Sequence, residues 1–234
     1  MSDSPVCVIT GVGPGNGWAL TRRFAQAGYR VAMLARDQER LASYAAQCAQ
    51  AQAFPCDVSD PETLQQTLAR VAETLGPVHT LIHNAGAGVF KRYDEITLEE
   101  MEQTWRINTL ALLVAAQALA PPMCAAGEGN ILVIGATAAL RGKPQTAGFA
   151  AAKAAQRSLA QSLARTLGPQ GVHVAYVVID GVVDLPRTRQ ALPDKPDDFF
   201  LAPEDIAESV HALSAQPRSA WSFELDLRPY GESW

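Results

Sequence analysis

The sequence predicts an α/β fold: one doubly wound domain spanning 1–234, with a seven-stranded, mostly parallel sheet and helices on both faces. Three observations carry this expectation. Short β-branched runs alternate with alanine-rich helical stretches from one end of the chain to the other. Those runs are nearly continuously apolar, as strands covered on both faces must be. Strand–helix alternation in turn implies right-handed parallel crossovers, and 234 residues suit one such domain with little left over.

The elements follow in order. Val6–Thr10, Tyr29–Ala35, Ala51–Asp57, Val78–His83, Asn130–Gly135, Val172–Ile179 and Ser222–Leu227 read as the seven strands. Helices are expected near 15–27, 37–49, 60–75, 97–120, 146–168 and 203–215. Asp60-Pro61 supplies a cap followed by proline at the first helical position, and Thr97 with Glu100 three residues on forms a capping box. Gly168-Pro169 reads as a helix stop. The segment 181–202, with Pro186, Pro193 and Pro196 among charged residues, is expected to be irregular. A loop of that length in a short-looped domain predicts a substrate lid. Phe199, Phe200 and Leu201 then either give the lid an apolar inner face or anchor it to the core.

Composition narrows the function classes. Apolar residues make up 48% and charged ones 18%, enough core material to exclude a disordered chain. With 19 Lys and Arg against 24 Asp and Glu the net charge is −5, which argues against a nucleic-acid partner, since such proteins carry a basic stripe. Cys7, Cys48, Cys56 and Cys124 are scattered, so neither a disulfide framework nor a metal site is expected, and a cytoplasmic location fits best. Met1 to Pro5 is polar, unlike a signal peptide. Leu110 to Met123 is apolar but broken by Gln117 and Pro121-Pro122, which predicts a buried helix and no membrane span.

Chemistry enters at Thr10-Gly11-Val12-Gly13-Pro14-Gly15-Asn16-Gly17, directly after the first strand and opening the first helix. Glycines there let backbone N–H groups approach a pyrophosphate, and the helix N-terminus adds unpaired donors and a favourable dipole. No Gly-Lys-Ser/Thr follows, which speaks against a nucleotide-hydrolysing loop. Here the chain resembles the short-chain dehydrogenase/reductase family over essentially its whole length. Thr10, Gly11, Gly15 and Gly17 match its T-G-x-x-x-G-x-G loop, and His83-Asn84-Ala85-Gly86 matches its N-N-A-G segment with His at the first position. Asp57-Val58 looks like the pair that holds adenine, Asn108 takes the place of the family's helix Asn, and Lys153 that of the Lys in Y-x-x-x-K. The resemblance implies a Rossmann-type fold, oxidoreductase activity on a small-molecule substrate, and a nicotinamide dinucleotide held by these residues. Lys153 would bind the nicotinamide ribose, and Asp180-Gly181 would stand beside the ring in place of the usual Pro-Gly. A homodimer or homotetramer is implied through the helices near 97–120 and 146–168, whose small residues Ala111, Ala115, Ala118 and Ala150 to Ala155 permit close packing.

The end of the second strand reads Leu34-Ala35-Arg36, without the acid that usually meets a ribose 2′-hydroxyl. A guanidinium there can grip a 2′-phosphate with two hydrogen bonds, so NADP(H) is expected over NAD(H). The catalytic pattern departs from the family. Phe149 stands in the tyrosine position four residues before Lys153, and Ala136 stands where the serine belongs. A positioned acid contributes about 10²–10⁴-fold and one oxyanion donor about 10²–10³-fold, so losing both matters. Three readings follow. Another group, with Thr137, Tyr93 or Asp180 the candidates, replaces the phenol. Alternatively the substrate needs no protein acid, as with an activated alkene or an imine. Third, the chain is a non-catalytic NADP(H) sensor or partner subunit.

Overall fold

The computed structural model describes residues 4–231; Met1 to Asp3 of the polar N-terminal stretch lie outside the described residues. Seven strands form one sheet: β1 (Val6–Thr10), β2 (Arg30–Ala35), β3 (Ala51–Pro55), β4 (Val78–His83), β5 (Gly129–Ile134), β6 (Val172–Ile179) and β9 (Glu224–Leu227). Their order is β3-β2-β1-β4-β5-β6-β9, and every neighbouring pair is parallel, so the mostly parallel sheet that was expected is wholly parallel. The order reverses between β1 and β4, which opens a crevice at the carboxyl ends of those strands, where α/β sheets bind ligands.

Alternation along each strand divides the core in two. Val6, Val8, Ala32, Leu34, Ile131 and Val133 pack with α3 (Pro61–Leu75) and α5 (Ala111–Ala126) on one face. Cys7, Ile9, Val31, Met33, Leu132 and Ile134 pack on the other with α1 (Asn16–Gln26) and α8 (Pro203–Ser214). The expected caps form. Asp60 accepts from the backbone N–H groups of Glu62 and Thr63, and Thr97 and Glu100 exchange hydrogen bonds of 3.1 and 3.0 Å at the start of α4 (Leu98–Trp105).

Two expectations are corrected. The helix near 97–120 does not stop at Pro121-Pro122 but runs on to Ala126, ending at Gly127 with φ 68°. A helix-interior proline costs about 3 kcal/mol, but Leu112, Val114, Leu119 and Met123 of the same helix are buried, each worth about 1.5–3 kcal/mol, so packing overrides propensity. The same stretch, Leu98–Ala126, is long and apolar enough to cross a membrane, yet half of its apolar window is buried; it packs against α3, α6 (Ala147–Leu167) and the sheet. Between α4 and α5 it carries a one-turn π-helix, Arg106–Leu110.

The second correction concerns 181–202, which is folded. It contains β7 (Val182–Val183), α7 (Pro186–Ala191) and β8 (Phe200–Leu201), with β7 and β8 paired in parallel. Arg189 ties the segment together by donating to Asp184 and Asp197 at 2.7 and 2.6 Å. Phe200 and Leu201 are buried and so anchor the segment to the core. The small residues of the two long helices divide between core and surface. Ala111, Ala115, Ala150 and Ala152 are buried in this chain's own core, which leaves Ala118, Ala151 and Ala154 exposed.

Candidate active site

The glycine loop sits over β1 and β4 because two of its glycines have no room for a side chain. A Cβ on Gly11 (φ 71°) would lie 2.5 Å from the Ala85 Cα, and one on Gly17 would lie 2.6 Å from the Val12 Cα. Both obstacles are backbone, so α1 can approach the sheet only with glycine here. Around Gly13 there is open space, the property a phosphate cradle needs. Gly15, the residue before α1, is covered by the Leu185 side chain instead. The folded segment after β6 therefore reaches the loop. Asn16, at the first position of α1, buries its Oδ1 without a partner.

The loop after β4 is locked to the glycine loop. Asn84 Nδ2 donates to the Gly11 carbonyl (2.8 Å), and the Ala85 N–H donates to Thr10 Oγ1 (3.1 Å). Thr10 Oγ1, having accepted that bond, has its own hydrogen for His83 Nδ1 at 3.2 Å. The imidazole proton is then on Nε2, which donates to the Asn108 carbonyl at 3.3 Å. Complete burial and the neighbouring Lys153 hold the His83 pKa down at about 3, so this His is a neutral bridge and the family's first Asn is replaced by a structural group. At the far ends of β2 and β3, Arg36 is exposed and makes no hydrogen bond or ion pair among the described residues. Its neighbour Asp37 is committed, accepting the Arg40 N–H at 3.0 Å and pairing with its guanidinium at 2.9 Å. Asp57 Oδ1 accepts from the N–H and hydroxyl of Ser59 (3.0 and 2.8 Å), and Val58 is buried beside it.

A buried polar network lies beneath this cradle. Lys153, 4% exposed, donates to the Ile134 carbonyl (2.9 Å) and to Gln156 Oε1 (3.0 Å). Gln156 Nε2 donates in turn to the Asn108 carbonyl at 2.7 Å. Burial pushes the Lys153 pKa down to about 7, since desolvation penalises an ammonium with only neutral partners. Asn108 lies in the π-helix, and π-turns favour functional sites. Its Nδ2 donates to the Ala87 and Thr104 carbonyls (2.9 and 2.8 Å) while its Oδ1 is buried without a partner. A Cβ on Gly86 would stand 3.4 Å from that Oδ1 and 3.8 Å from Lys153 Nζ. The glycine thus opens a gap flanked by one acceptor and one cationic donor.

The remaining corner is formed by the ends of β5 and β6 and the start of α6. Phe149, in the first turn of α6, has its ring centroid 6.0 Å from Lys153 Nζ and 5.3 Å from the Phe90 ring. Ala136 offers no donor. The Thr137 hydroxyl beside it donates to Asp180 Oδ1 at 2.6 Å. The Asp180 carboxylate also meets Arg228 at 3.4 Å and Arg141 at 4.0 Å. Gly181 follows it, and a Cβ there would stand 2.8 Å from Pro229. Tyr93 is 78% exposed in the loop after β4, a rim position. Among the described residues there is no cluster of His, Cys, Asp and Glu that could hold a metal, and the four cysteines are free.

A model of the short-chain dehydrogenase family matches residues 5–196. The chain belongs to that family. An uncharacterized oxidoreductase of Staphylococcus aureus (strain USA300) is 28% identical over 226 residues, covering 96% of each chain. An alcohol dehydrogenase from Thermococcus sibiricus, solved with 5-hydroxy-NADP, superposes with a TM-score of 0.87 at 28% identity over 99% of both chains. A metagenomic short-chain oxidoreductase in complex with NADP gives 0.84 at 27% identity, covering 97% of this chain and 98% of its own. The likeness spans the whole chain, and this short-chain dehydrogenase is an oxidoreductase of that type.

Motif reading found Thr10, Gly11, Gly17, Asn84, Asn108 and Lys153, which the fold brings to one crevice. It missed Gln156, whose only signal was a polar residue three positions after Lys153 on the buried face of α6. It also missed Arg228 and Arg141 beside Asp180. Nothing in the sequence pairs residues 48 or 39 positions apart.

Proposed function

We propose that this short-chain dehydrogenase is an NADP(H)-dependent oxidoreductase whose proton-donating corner has been remodelled. The observation that carries the reading is a dinucleotide cradle directly beside a corner where Phe149 and Ala136 offer no hydrogen-bond donor. The cradle's chemistry suits the cofactor: the orphaned Asn16 Oδ1 and Asn108 Oδ1 require hydroxyl donors, which sugar hydroxyls supply. Buried acceptors left unmatched cost about 1–3 kcal/mol each. Asn108 Oδ1 would accept from a nicotinamide-ribose hydroxyl at Gly86, and Lys153, with a third N–H beyond the two committed to Ile134 and Gln156, would donate to it. Gly13 and the first N–H groups of α1 would meet the pyrophosphate. Arg36, with Asp37 turned away onto Arg40, would take a 2′-phosphate; the NADP-type ligands of the two structural relatives support the same choice. The bound cofactor supplies hydride chemistry. Phe149 and Phe90 would wall the substrate from water, and Asp180 would hold Thr137 fixed.

Titration with NADPH and with NADH, followed by nicotinamide fluorescence, tests the cofactor. Tighter NADPH binding is expected, and binding of neither sinks the reading. The replacement of both acids also favours a second reading, a non-catalytic NADP(H) sensor. Steady NADPH consumption with any substrate eliminates the sensor, whereas binding without turnover across a broad panel of carbonyl, alkene and iminium compounds favours it.

A further inference from the structure

We infer that the substrate is a cationic iminium, a C=N⁺ compound. The inference deepens the NADP(H) oxidoreductase reading above and rests on it. The corner lacks what a carbonyl needs. Phe149 has no exchangeable proton, Ala136 no donor, and the one hydroxyl nearby, on Thr137, gives its hydrogen to Asp180 at 2.6 Å. The longer contact from Thr137 Oγ1 to the Ile179 carbonyl, 3.2 Å, is the weaker claim on the same hydrogen, because a charge-assisted bond dominates. Thr137 therefore presents only lone pairs to a ligand. A ketone oxygen also presents only lone pairs and finds no hydrogen on Thr137, Ala136 or Phe149.

The same groups suit a cation. Asp180 carries a carboxylate that is 17% exposed, and its partner Arg228 is shared with Asp226, so two carboxylates face one guanidinium. Arg141 approaches Asp180 only at 4.0 Å and is 65% exposed, in water where its influence is screened. The Phe149 and Phe90 rings, 5.3 Å apart, offer π faces that attract cations. Lys153 is a third opposing charge on this side, after Arg228 and Arg141, and burial holds its pKa near 7.

An iminium also removes the need for the missing acid. The iminium carbon takes a hydrogen with its electron pair from the reduced nicotinamide dinucleotide. The C=N π pair moves onto nitrogen and cancels its charge. The products are a neutral amine and the oxidised dinucleotide, and no proton enters or leaves. A carbonyl under the same attack becomes an alkoxide that must be protonated.

The test compares 2-methyl-3,4-dihydroisoquinolinium, permanently cationic, with the neutral ketone 1-tetralone in an NADPH consumption assay. The iminium is expected to lead in kcat/KM by about a hundredfold or more, the size of the absent general-acid contribution. Calorimetry with the non-reducible cation 2,2-dimethyl-1,2,3,4-tetrahydroisoquinolinium on NADPH-loaded protein gives a readout independent of turnover. Asp180→Asn, which keeps the shape and can still accept from Thr137, should weaken binding of that cation roughly tenfold. Phe149→Leu should weaken it about 2- to 30-fold, the range of one cation–π contact. An unchanged far-UV circular dichroism spectrum shows that both variants fold. Comparable turnover of the ketone, or cation binding unmoved in both variants, overturns the inference. Tight NADPH binding with no consumption of the iminium overturns this inference alone, whereas failure to bind NADPH overturns the cofactor reading beneath it.

Discussion

Lys153→Met isolates the cost of burying an ammonium at the centre of the site. Methionine keeps the length and apolar stem of the side chain, and what it removes is the charge. In the folded chain the Lys153 pKa falls from its usual 10.5 to about 7 through burial. Below about pH 7 both folded and unfolded chains hold the proton, and the full burial penalty applies. Between about 7 and 10.5 the unfolded chain keeps the proton while the folded chain releases it, so stability rises with pH across that window. At about 1.4 kcal/mol for each tenfold change in proton affinity, the whole interval is worth up to about 5 kcal/mol and the span from pH 7 to 9 about 2–3 kcal/mol. For a chain of this size that is roughly 4–12 °C in Tm. Cys7, Tyr29 and Tyr176, whose pKa values burial raises, lower stability at the alkaline end, but they are common to both proteins and cancel in the difference. Thermal melts from pH 6 to 9 should show a rise in the parent that Lys153→Met flattens. The lost bonds to Ile134 and Gln156 shift the variant's curve as a whole but not its slope. Parallel curves would refute the argument, by showing that the folded chain does not release the Lys153 proton near neutrality.

The other predictions are briefer. Phe149→Tyr with Ala136→Ser restores both missing donors and should raise turnover of simple ketones by about 10²-fold or more, read as NADPH consumption; no gain would show that the corner beside Lys153 is not where the substrate reacts. Arg36→Asp should weaken NADPH about 10- to 100-fold, the size of one lost charge-assisted contact at about 1.5–3 kcal/mol, while NADH binding holds or improves in a fluorescence titration. Gly17→Ala drives a Cβ to 2.6 Å from the Val12 Cα and should cost about 1–3 kcal/mol as overpacking, seen as a lower Tm. Gly13→Ala meets nothing within 4 Å and should leave Tm alone while weakening NADPH.

Local regularities explain how much was legible. Nearly unbroken apolar runs mark the strands covered on both sides, β1, β2, β4, β5 and β6, while β3 and β9 at the edges are partly exposed. Asp60 and Thr97 mark helix starts because caps act within one turn. Pro121-Pro122 misled for the opposite reason: a local penalty was outweighed by the burial of Leu112, Val114, Leu119 and Met123, which depends on residues far away in sequence. The segment 181–202 was misread in the same way, since β7 and β8 are two-residue strands held by each other and by Arg189, with no periodicity to reveal them.

The sequence by itself determined the alternating fold, the position of the glycine loop after β1, and the absence of a hydroxyl at Phe149 and Ala136, because each is written in residue type and short spacing. Only the tertiary structure decided what the remaining groups do. It showed that Thr137 gives its hydrogen to Asp180, that Asp37 turns to Arg40 and leaves Arg36 without a partner among the described residues, and that Gln156 and His83 close on the Asn108 carbonyl from two other elements. Hydrogen-bond direction and burial depend on distances of a few ångströms between segments that only folding brings together, and no spacing along the chain encodes them.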